Sequence, residues 1–252
     1  MSVLSVVILT KNEEANIGAC IETVAFADEV LVIDDFSTDG TVALAEAAGA
    51  RVLQRELEGD WASQRMFGAE RATGDMILFL DADERISERL AEEIRSVLAA
   101  GEHKAYRFRR HNLFHYNRAT RGVLRSDAVL RLLPKDGLRV EGYVHEAILS
   151  PYEAADLSGP LYHYTYDNWH QYFNKFNSYT TAAAYKMRDA GKRCDFVRDI
   201  LFRPAWGFFK MYVVHRGFLD GRMGFQFSVF HAFYTMVKYV KLHTLLKSGG
   251  KL

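Results

Sequence analysis

Residues 74–86 read GDMILFLDADERI, and this stretch decides the class of fold. Five consecutive apolar residues, Met76 to Leu80, end at Asp81, and a second carboxylate follows two positions later at Asp83. An apolar run of this length predicts a strand that is buried on both faces, as in a parallel sheet covered by helices. Ligands bind outside the carboxyl ends of the strands in such a sheet, which is where these two acids lie.

Short apolar runs alternate with helical patterns around this strand. The predicted strands are Leu4–Leu9, Glu29–Ile33, Arg51–Gln54 and Met76–Leu80. The predicted helices are Glu13–Val24, Thr41–Ala48, Gln64–Ala72 and Ser87–Ala99. The alternation is typical of βαβ units, so this part of the chain is predicted to be α/β with a parallel sheet.

The pattern changes after about residue 100. Three strand-like pieces separated by polar loops follow, at Ala105–Phe108, Ala128–Leu133 and Tyr143–Leu149. Beyond Asp167 the chain is predicted to be helical, with breaks near Gly191, Pro204 and residues 217–224. We therefore predict one domain over residues 1–165, with a change of pattern at about residue 100, followed by a helical, basic and aromatic region over residues 166–252.

The charge is unevenly distributed along the chain. The 252 residues are 49% hydrophobic and 25% charged, which is typical of a folded protein, and the formal net charge is zero. Residues 185–252 nevertheless hold 13 Lys or Arg against four acids, a balance of about +9, so the preceding part is about −9. Aromatic residues interleave with these cations, a mixture that favours an anionic membrane surface as a partner and argues against nucleic acid.

The remaining composition bears on the compartment. Cys20 and Cys194 cannot form a disulfide framework, which favours a reducing compartment. The chain shows neither a signal-peptide pattern nor 18 uninterrupted apolar residues. We therefore expect a cytoplasmic protein that lies peripherally on the inner face of the cytoplasmic membrane.

Polar residues follow three of the predicted strands. They are 10–13 after the first strand, Asp34 and Asp35 after the second, and 81–84 after the fourth. Two carboxylates at i and i+2 can approach one hard cation, and Mg²⁺ or Mn²⁺ held there would neutralise a leaving diphosphate. Acids at strand ends also occur as helix caps, so this pattern alone leaves both interpretations open.

Three motifs together resemble a known family. They are SVVILTKNEEANI at 5–17, VLVIDDFSTDGT at 30–41 and GDMILFLDADERI at 74–86. The combination resembles the family 2 glycosyltransferases, inverting enzymes of the GT-A fold, and is most similar to those that add glucose to the lipopolysaccharide inner core. Supporting matches are Gln64-Arg65, Val144-His145-Glu146, residues 217–221 and Lys238-Tyr239. The resemblance implies a Rossmann-like, mostly parallel sheet flanked by helices, with a helical C-terminal extension. It makes residues 1–165 the catalytic domain, with a donor half at about 1–100 and an acceptor half at about 101–165.

The resemblance also implies roles for individual residues. The donor would be a UDP-sugar, with Mg²⁺ or Mn²⁺ ligated by Asp83. The donor-binding residues would be Thr10, Glu13 and Asp34 around the nucleoside, Arg65 near the uracil or phosphates, and Asp81 at the ribose or donor sugar. Phe36 departs from the family, which usually has a small residue there, and a bulky ring is expected to reshape the edge of the pocket.

An inverting transfer needs a carboxylate that accepts the proton of the acceptor hydroxyl. The resemblance makes Glu146 the candidate for this base, so the predicted catalytic residues are Glu146 and Asp83, with His145 either orienting Glu146 or contacting a phosphate. The alternative is that Glu146 is a buried partner of an arginine such as Arg131 or Arg139.

The predicted activity is transfer of a sugar, with glucose expected, to a lipid-linked saccharide such as the lipopolysaccharide inner core. Another acceptor, either polyprenyl phosphate or protein, remains an alternative. A phosphotransferase with Asp81 as nucleophile is disfavoured because that class normally carries its motif on the first strand. A nucleotidyltransferase would need a glycine-rich basic loop, which residues 10–18 do not form. Intact Asp81 and Asp83 argue against a binding module that has lost activity.

Overall fold

The computed structural model describes residues 2–114, 121–142, 147–166 and 168–251. The strands within them are β1 Leu4–Thr10, β2 Glu29–Asp34, β3 Arg51–Gln54, β4 Met76–Asp81, β5 Glu84–Ile86, β6 Ala105–Phe114, β7 Asp127–Pro134, β8 Arg139–Glu141, β9 Ala147–Leu149 and β10 Ala154–Tyr166. The α-helices are α1 Ile17–Glu22, α2 Thr41–Ala47, α3 Trp61–Arg71, α4 Glu88–Ala100, α5 Trp169–Asp189, α6 Arg203–Phe209 and α7 Gly221–Lys247.

The chain divides into two compact units. The sheet unit comprises residues 1–111 and 127–163, and the helical unit comprises residues 112–126 and 164–252. Eight strands form one sheet in the order β3-β2-β1-β4-β7-β6-β10-β5, while β8 and β9 pair separately. The predicted α/β class is therefore confirmed.

Strand direction changes across the sheet. β1 pairs in parallel with both β2 and β4, and β2 pairs in parallel with β3, whereas β4–β7, β6–β7 and β5–β10 are antiparallel pairs. The chain proceeds outward from β1 to β3 and then returns to the other side of β1 as β4. This reversal is a topological switch point, where an open α/β sheet forms its ligand-binding crevice.

The core of the sheet unit lies on both faces of β1, all seven residues of which are buried. Val6 and Ile8 belong to one apolar cluster, with residues of α1 and α4, whereas Val7 and Leu9 belong to another, with residues of α3. This division follows from the two-residue period of a strand. A Cβ at Gly68 would overlap the Val7 side chain, so glycine permits α3 to approach the sheet closely.

Side-chain caps explain two shifted helix starts. The Asp60 carboxylate accepts a hydrogen bond from the backbone N–H of Ser63 (2.9 Å), so α3 begins at Trp61, three residues before the predicted start. The Ser87 hydroxyl accepts from the backbone N–H of Leu90 (3.2 Å), which makes Ser87 the cap that precedes α4. Such caps satisfy N–H groups that have no partner within the helix.

The largest difference from prediction is β10, a strand of 13 residues that the sequence did not indicate. Gly159 and Pro160 in its interior are turn residues by composition. A Cβ at Gly159 would lie 2.5 Å from both the backbone N and the Cα of Leu90, so this glycine permits close contact with α4 instead of a turn.

Aromatic side chains pack together in the helical unit, where Phe114 contacts both α5 and α7. Phe114 lies with its ring centroid 4.4 Å from that of Trp169 and 5.2 Å from that of Phe227. The predicted break near Gly191 is confirmed, since α5 ends at Asp189. The break predicted near Pro204 is instead a change of winding, because a π-helical segment, Phe196–Phe202, continues directly into α6. Pro204 is the second residue of α6, so it lies at the point where the winding changes.

Within the described residues, no helix is both long enough and apolar enough to cross a membrane.

Candidate active site

Asp81 ends β4 between two arginines. Its Oδ1 accepts a hydrogen bond from Arg65 Nη2 (2.6 Å) and its Oδ2 accepts one from Arg131 Nη2 (2.7 Å). Burial alone would raise the pKa of Asp81, but the two guanidinium groups outweigh it and hold the pKa well below its ordinary value. Asp81 is therefore an ionised carboxylate with each of its oxygens already bound.

Glu84 is the second acidic partner of Arg131. It is completely buried, and its Oε1 accepts from Arg131 Nη2 (2.7 Å) and lies 3.4 Å from Arg110 Nη1. Its Oε2 accepts from the backbone N–H of Asp81 (3.1 Å). Burial lowers and the acidic partners raise the pKa of Arg131, with a net shift above its ordinary value. This network fixes the position of Asp81.

A pocket of about 310 Å³ opens over this network. Its lining consists of Arg65, Asp81, Arg110, Val129, Leu130, Arg131 and Ile148. Arg110 is anchored to Asp127 by Nε and Nη2, at 3.1 and 2.8 Å from the two carboxylate oxygens. The pocket thus presents fixed guanidinium groups, which are the side chains best suited to phosphate oxygens.

Asp83 is separate from the arginine network. Its Oδ2 lies 3.3 Å from Nε2 of His163, and each of the two side chains is 17% exposed. The antiparallel pairing of β5 with β10 places His163 opposite Glu84, and so beside the acid motif. Sequence reasoning missed His163 because it lies in the strand that was not predicted.

The Asp83–His163 pair has the chemistry and spacing of two ligands of one cation. Carboxylate oxygen and imidazole nitrogen both ligate divalent metals such as Mn²⁺. Adjacent ligands of an octahedral ion, each at about 2.1 Å, lie about 3.0 Å apart, close to the 3.3 Å observed. Among the residues that the structure describes, no group of three or more His, Cys, Asp or Glu side chains is arranged to hold a metal ion.

The predicted nucleoside residues lie at the ends of β1 and β2. Thr10 pairs in register with Asp34, and its neighbour Leu9 pairs with Asp81, so these strand ends adjoin. Thr10 is buried, and its Oγ1 has no hydrogen-bond partner within the described parts of the chain. Glu13 lies in the following loop, where its carboxylate accepts from Asn16 Nδ2 (2.8 Å).

Asp34 is engaged within the protein. It is completely buried and accepts hydrogen bonds from the backbone N–H of Ser37 (3.0 Å) and from Gln54 Nε2 (3.1 Å). These bonds hold the loop that contains Phe36, which has φ of +49° and is 54% exposed. Phe36 therefore lies at the rim of this region, in a backbone conformation that a bulky residue seldom adopts.

The structure thus brings Thr10, Asp34, Arg65 and Asp81 to one edge of the sheet, with Asp83 beside them. Glu146 and His145 lie outside the described residues, so the assignment of the base stays a prediction. Arg131 was considered only as a partner of Glu146, and its contacts with Asp81 and Glu84 were not predicted. A lone arginine within the apolar run AVLRLLP was the available signal, since a buried charge requires a partner.

Comparisons with known proteins agree with this architecture. The model of the family "Glycosyl transferase family 2" matches residues 5–139. An uncharacterised glycosyltransferase of Rickettsia felis is 31% identical over 98% of this chain and 92% of its own length. The lipopolysaccharide core biosynthesis glycosyltransferase LpsC of Rhizobium meliloti is 31% identical over 96% of this chain and 93% of its own length.

A solved structure shows a more partial likeness. Glucosyl-3-phosphoglycerate synthase from Mycobacterium tuberculosis, in complex with Mn²⁺, UDP-glucose and phosphoglyceric acid, is 26% identical with a TM-score of 0.36. The match covers 47% of this chain and 46% of that one. The family model covers more than half of the chain and the two relatives nearly all of it, so the chain belongs to glycosyltransferase family 2 and has the predicted GT-A fold.

Proposed function

We propose that this protein is a metal-dependent, inverting glycosyltransferase that moves glucose from UDP-glucose to a lipid-linked saccharide. The proposal rests on one observation, which is that the two acids of the motif have different partners. Each oxygen of Asp81 accepts a hydrogen bond from an arginine, whereas Asp83 faces a histidine at the spacing of two metal ligands.

Asp83 and His163 would hold Mg²⁺ or Mn²⁺, with water and the donor diphosphate completing the coordination. The cation supplies charge neutralisation for the departing UDP. Asp81 is the poorer ligand because the two guanidinium groups bound to it already compensate its charge and would repel a cation. We therefore assign Asp81 and Arg65 to the diphosphate and donor-sugar side of the pocket.

The nucleoside would lie over the ends of β1 and β2. Thr10 Oγ1 offers a buried hydroxyl group to the uridine, and Glu13 lies in the adjoining loop. Asp34 is completely buried, so we propose that it acts on the nucleoside indirectly, by holding the Ser37 loop in place. Phe36 would border the base from the rim.

The transfer itself requires a proton acceptor. In the proposed step the acceptor hydroxyl oxygen bonds to the anomeric carbon, the bond from that carbon to the diphosphate oxygen breaks, and the hydroxyl proton passes to Glu146. Glu84 is a poor substitute because it is completely buried and bound to Arg131. Asp127 is the better second candidate because its side chain is 45% exposed, although it pairs with Arg110.

Different observations support the proposed acceptor and the proposed location. LpsC, which is named for lipopolysaccharide core biosynthesis, matches nearly the whole chain and favours a lipid-linked inner-core saccharide. The basic residues beyond 185 favour a position on the anionic inner face of the cytoplasmic membrane. Polyprenyl phosphate and protein remain alternative acceptors.

Mass spectrometry of lipid-linked saccharides tests the proposal. The lipid-linked saccharide should be heavier by one hexose in cells that produce the protein than in cells that lack it. Cells that produce the Asp83→Ala variant should contain the same saccharide as cells that lack the protein. Glu92→Ala, which removes an exposed acid on α4, is the matched control and should preserve the product. An unchanged saccharide in producing cells, or a modified protein in its place, would refute the proposed acceptor.

A further inference from the structure

Residues 196–214 present a large apolar surface. They form one continuous helical run, in which the π-helical segments 196–202 and 210–214 flank α6. Eight large apolar side chains in this run are between 43% and 68% exposed: Phe196, Val197, Leu201, Phe202, Trp206, Phe209, Val213 and Val214. Large apolar side chains gathered in one segment mark an interaction site.

The spacing of buried and exposed residues shows that this surface is one face of the run. Ile200, Pro204, Gly207 and Met211 are buried and recur at intervals of four, three and four residues. Phe202, Trp206, Phe209 and Val213 recur at the same intervals, displaced by two positions. The chain turns by about 100° per residue in α6 and by somewhat less in the wider π-helical segments, so two positions are close to half a turn and the exposed apolar stripe lies opposite the buried one.

A basic pocket adjoins the same run. Its volume is about 250 Å³, and its lining consists of Lys192, Arg193, Arg198, Asp199, Arg203 and Tyr239. Four cations against one anion give the lining a charge of about +3. Arg198 and Arg203 belong to the run itself, so the pocket and the apolar face share one structural element.

Asp199 holds two of the three arginines of the pocket, Arg198 and Arg203, in place. It is buried, and its carboxylate accepts from Arg198 Nε (2.9 Å), Arg198 Nη2 (2.9 Å) and Arg203 Nε (2.6 Å). The hydrogen bonds from Arg198 lower the pKa of Asp199 to about 2, so it is ionised at neutral pH. Arg203 Nη1 also donates to Tyr239 Oη (2.9 Å). The guanidinium groups are thus pre-positioned by a rigid anchor.

We propose that this pocket binds the phosphate of an anionic phospholipid while the apolar stripe inserts into the membrane interface. Fixed guanidinium groups suit a phosphate, and exposed aromatic residues beside cations suit the boundary between headgroups and acyl chains. A dissolved phosphate would use the pocket but would leave the apolar stripe without a partner. The inference deepens the proposed function, on whose membrane location it rests, by naming the element that makes contact.

Sedimentation with vesicles tests the charge side of the proposal. The protein should sediment with phosphatidylcholine vesicles that contain phosphatidylglycerol and remain in solution with phosphatidylcholine alone. Arg193→Gln should lower the partition coefficient about five-fold, and Lys192→Gln/Arg193→Gln further. Arg222→Gln removes one exposed cation at the far end of α7, about 25 Å along the helix from Tyr239, and is the matched control. Equal loss in Arg193→Gln and Arg222→Gln would overturn the pocket assignment.

Trp206 tests the apolar side. Brominated acyl chains should quench part of the tryptophan fluorescence of the bound protein, and Trp206→Phe should lose that quenching while still binding. Trp206→Ser should weaken binding at both low and high salt, unlike Tyr179→Ser, which alters a similarly exposed side chain on α5. Binding without quenching, or equal binding to neutral vesicles, would overturn the proposal.

Two further measurements separate the possible sources of phosphate and the two proposals. One outcome is that inorganic phosphate raises the melting temperature of the wild type but not of Arg193→Gln, while neither protein binds vesicles. In that case the pocket serves a dissolved phosphate and the lipid proposal is wrong. Donor binding is measured without vesicles, as the rise in melting temperature with UDP and Mn²⁺. A protein that binds UDP but not vesicles would refute this inference alone.

Discussion

Replacing Arg131 with methionine should strongly destabilise the sheet unit. The change removes the 2.7 Å contacts to Asp81 and Glu84 and leaves the completely buried Glu84 with Arg110, 3.4 Å away, as its one cationic partner among the described residues. Removing one partner of a buried ion pair typically costs about 3–5 kcal/mol. A domain of this size loses about 2–4 °C of melting temperature per kcal/mol, so the midpoint should fall by about 6–20 °C.

Calorimetry and urea denaturation measure this effect, with Arg107→Met as the matched control. Arg107 lies on neighbouring β6 and pairs with Asp156, but both side chains are exposed, so its removal should cost less than about 1 kcal/mol. Adding Glu84→Gln to Arg131→Met removes the buried charge that has lost its partner. The free energy of unfolding of the double variant should therefore be about 1–3 kcal/mol higher than the sum of the single changes predicts. The loss of stability in Arg131→Lys should be intermediate, because an ammonium group keeps the charge but lacks the forked hydrogen-bonding geometry of a guanidinium. Equal losses in Arg131→Met and Arg107→Met would refute the reasoning.

Three further predictions concern the site. Asp83→Ala should abolish transfer and the Mn²⁺-dependent part of UDP binding while the melting temperature of the free protein stays nearly unchanged; normal turnover would remove the metal assignment. Glu146→Gln should lower turnover about 10² to 10⁴-fold with donor affinity preserved, and lost UDP binding or unfolding would mean a structural role instead. The pKa of Asp81 is depressed in the folded protein, so its stabilising effect is present above the unfolded value of about 3.9 and is lost as the pH falls through the lower folded value. The difference in melting temperature between wild type and Asp81→Asn should therefore be constant from pH 7 to 5 and shrink below pH 4; a difference that grows with acid would contradict the assignment.

The parallel half of the sheet could be predicted because its signals are local. Strands β1, β2 and β4 each contain an apolar run that is followed by polar residues, and β3 has the predicted bounds, Arg51–Gln54. Asp81 and Asp83 were recognisable because they directly follow such a run. The antiparallel half depends on contacts between distant segments, and Gly159 is explained by α4 rather than by its neighbours in sequence.

The same distinction explains the site. Thr10, Asp34 and Asp81 meet because parallel strands end at one edge, which follows from the pattern alone. The partners of Asp81 and Asp83, namely Arg131 and His163, arrive from β7 and β10, 50 and about 80 residues later in the chain. Only the strand pairing reveals that the two acids have different partners, and therefore different chemistry.

The balanced charges of the pocket over Asp81 have a kinetic consequence. Three guanidinium groups, from Arg65, Arg110 and Arg131, are matched by the carboxylates of Asp81, Glu84 and Asp127. A diphosphate entering such a neutral cleft gains little from long-range attraction, so the cation that accompanies it would supply most of the pull. The donor would then bind as a metal complex, and cation concentration rather than ionic strength would govern how readily the nucleotide binds.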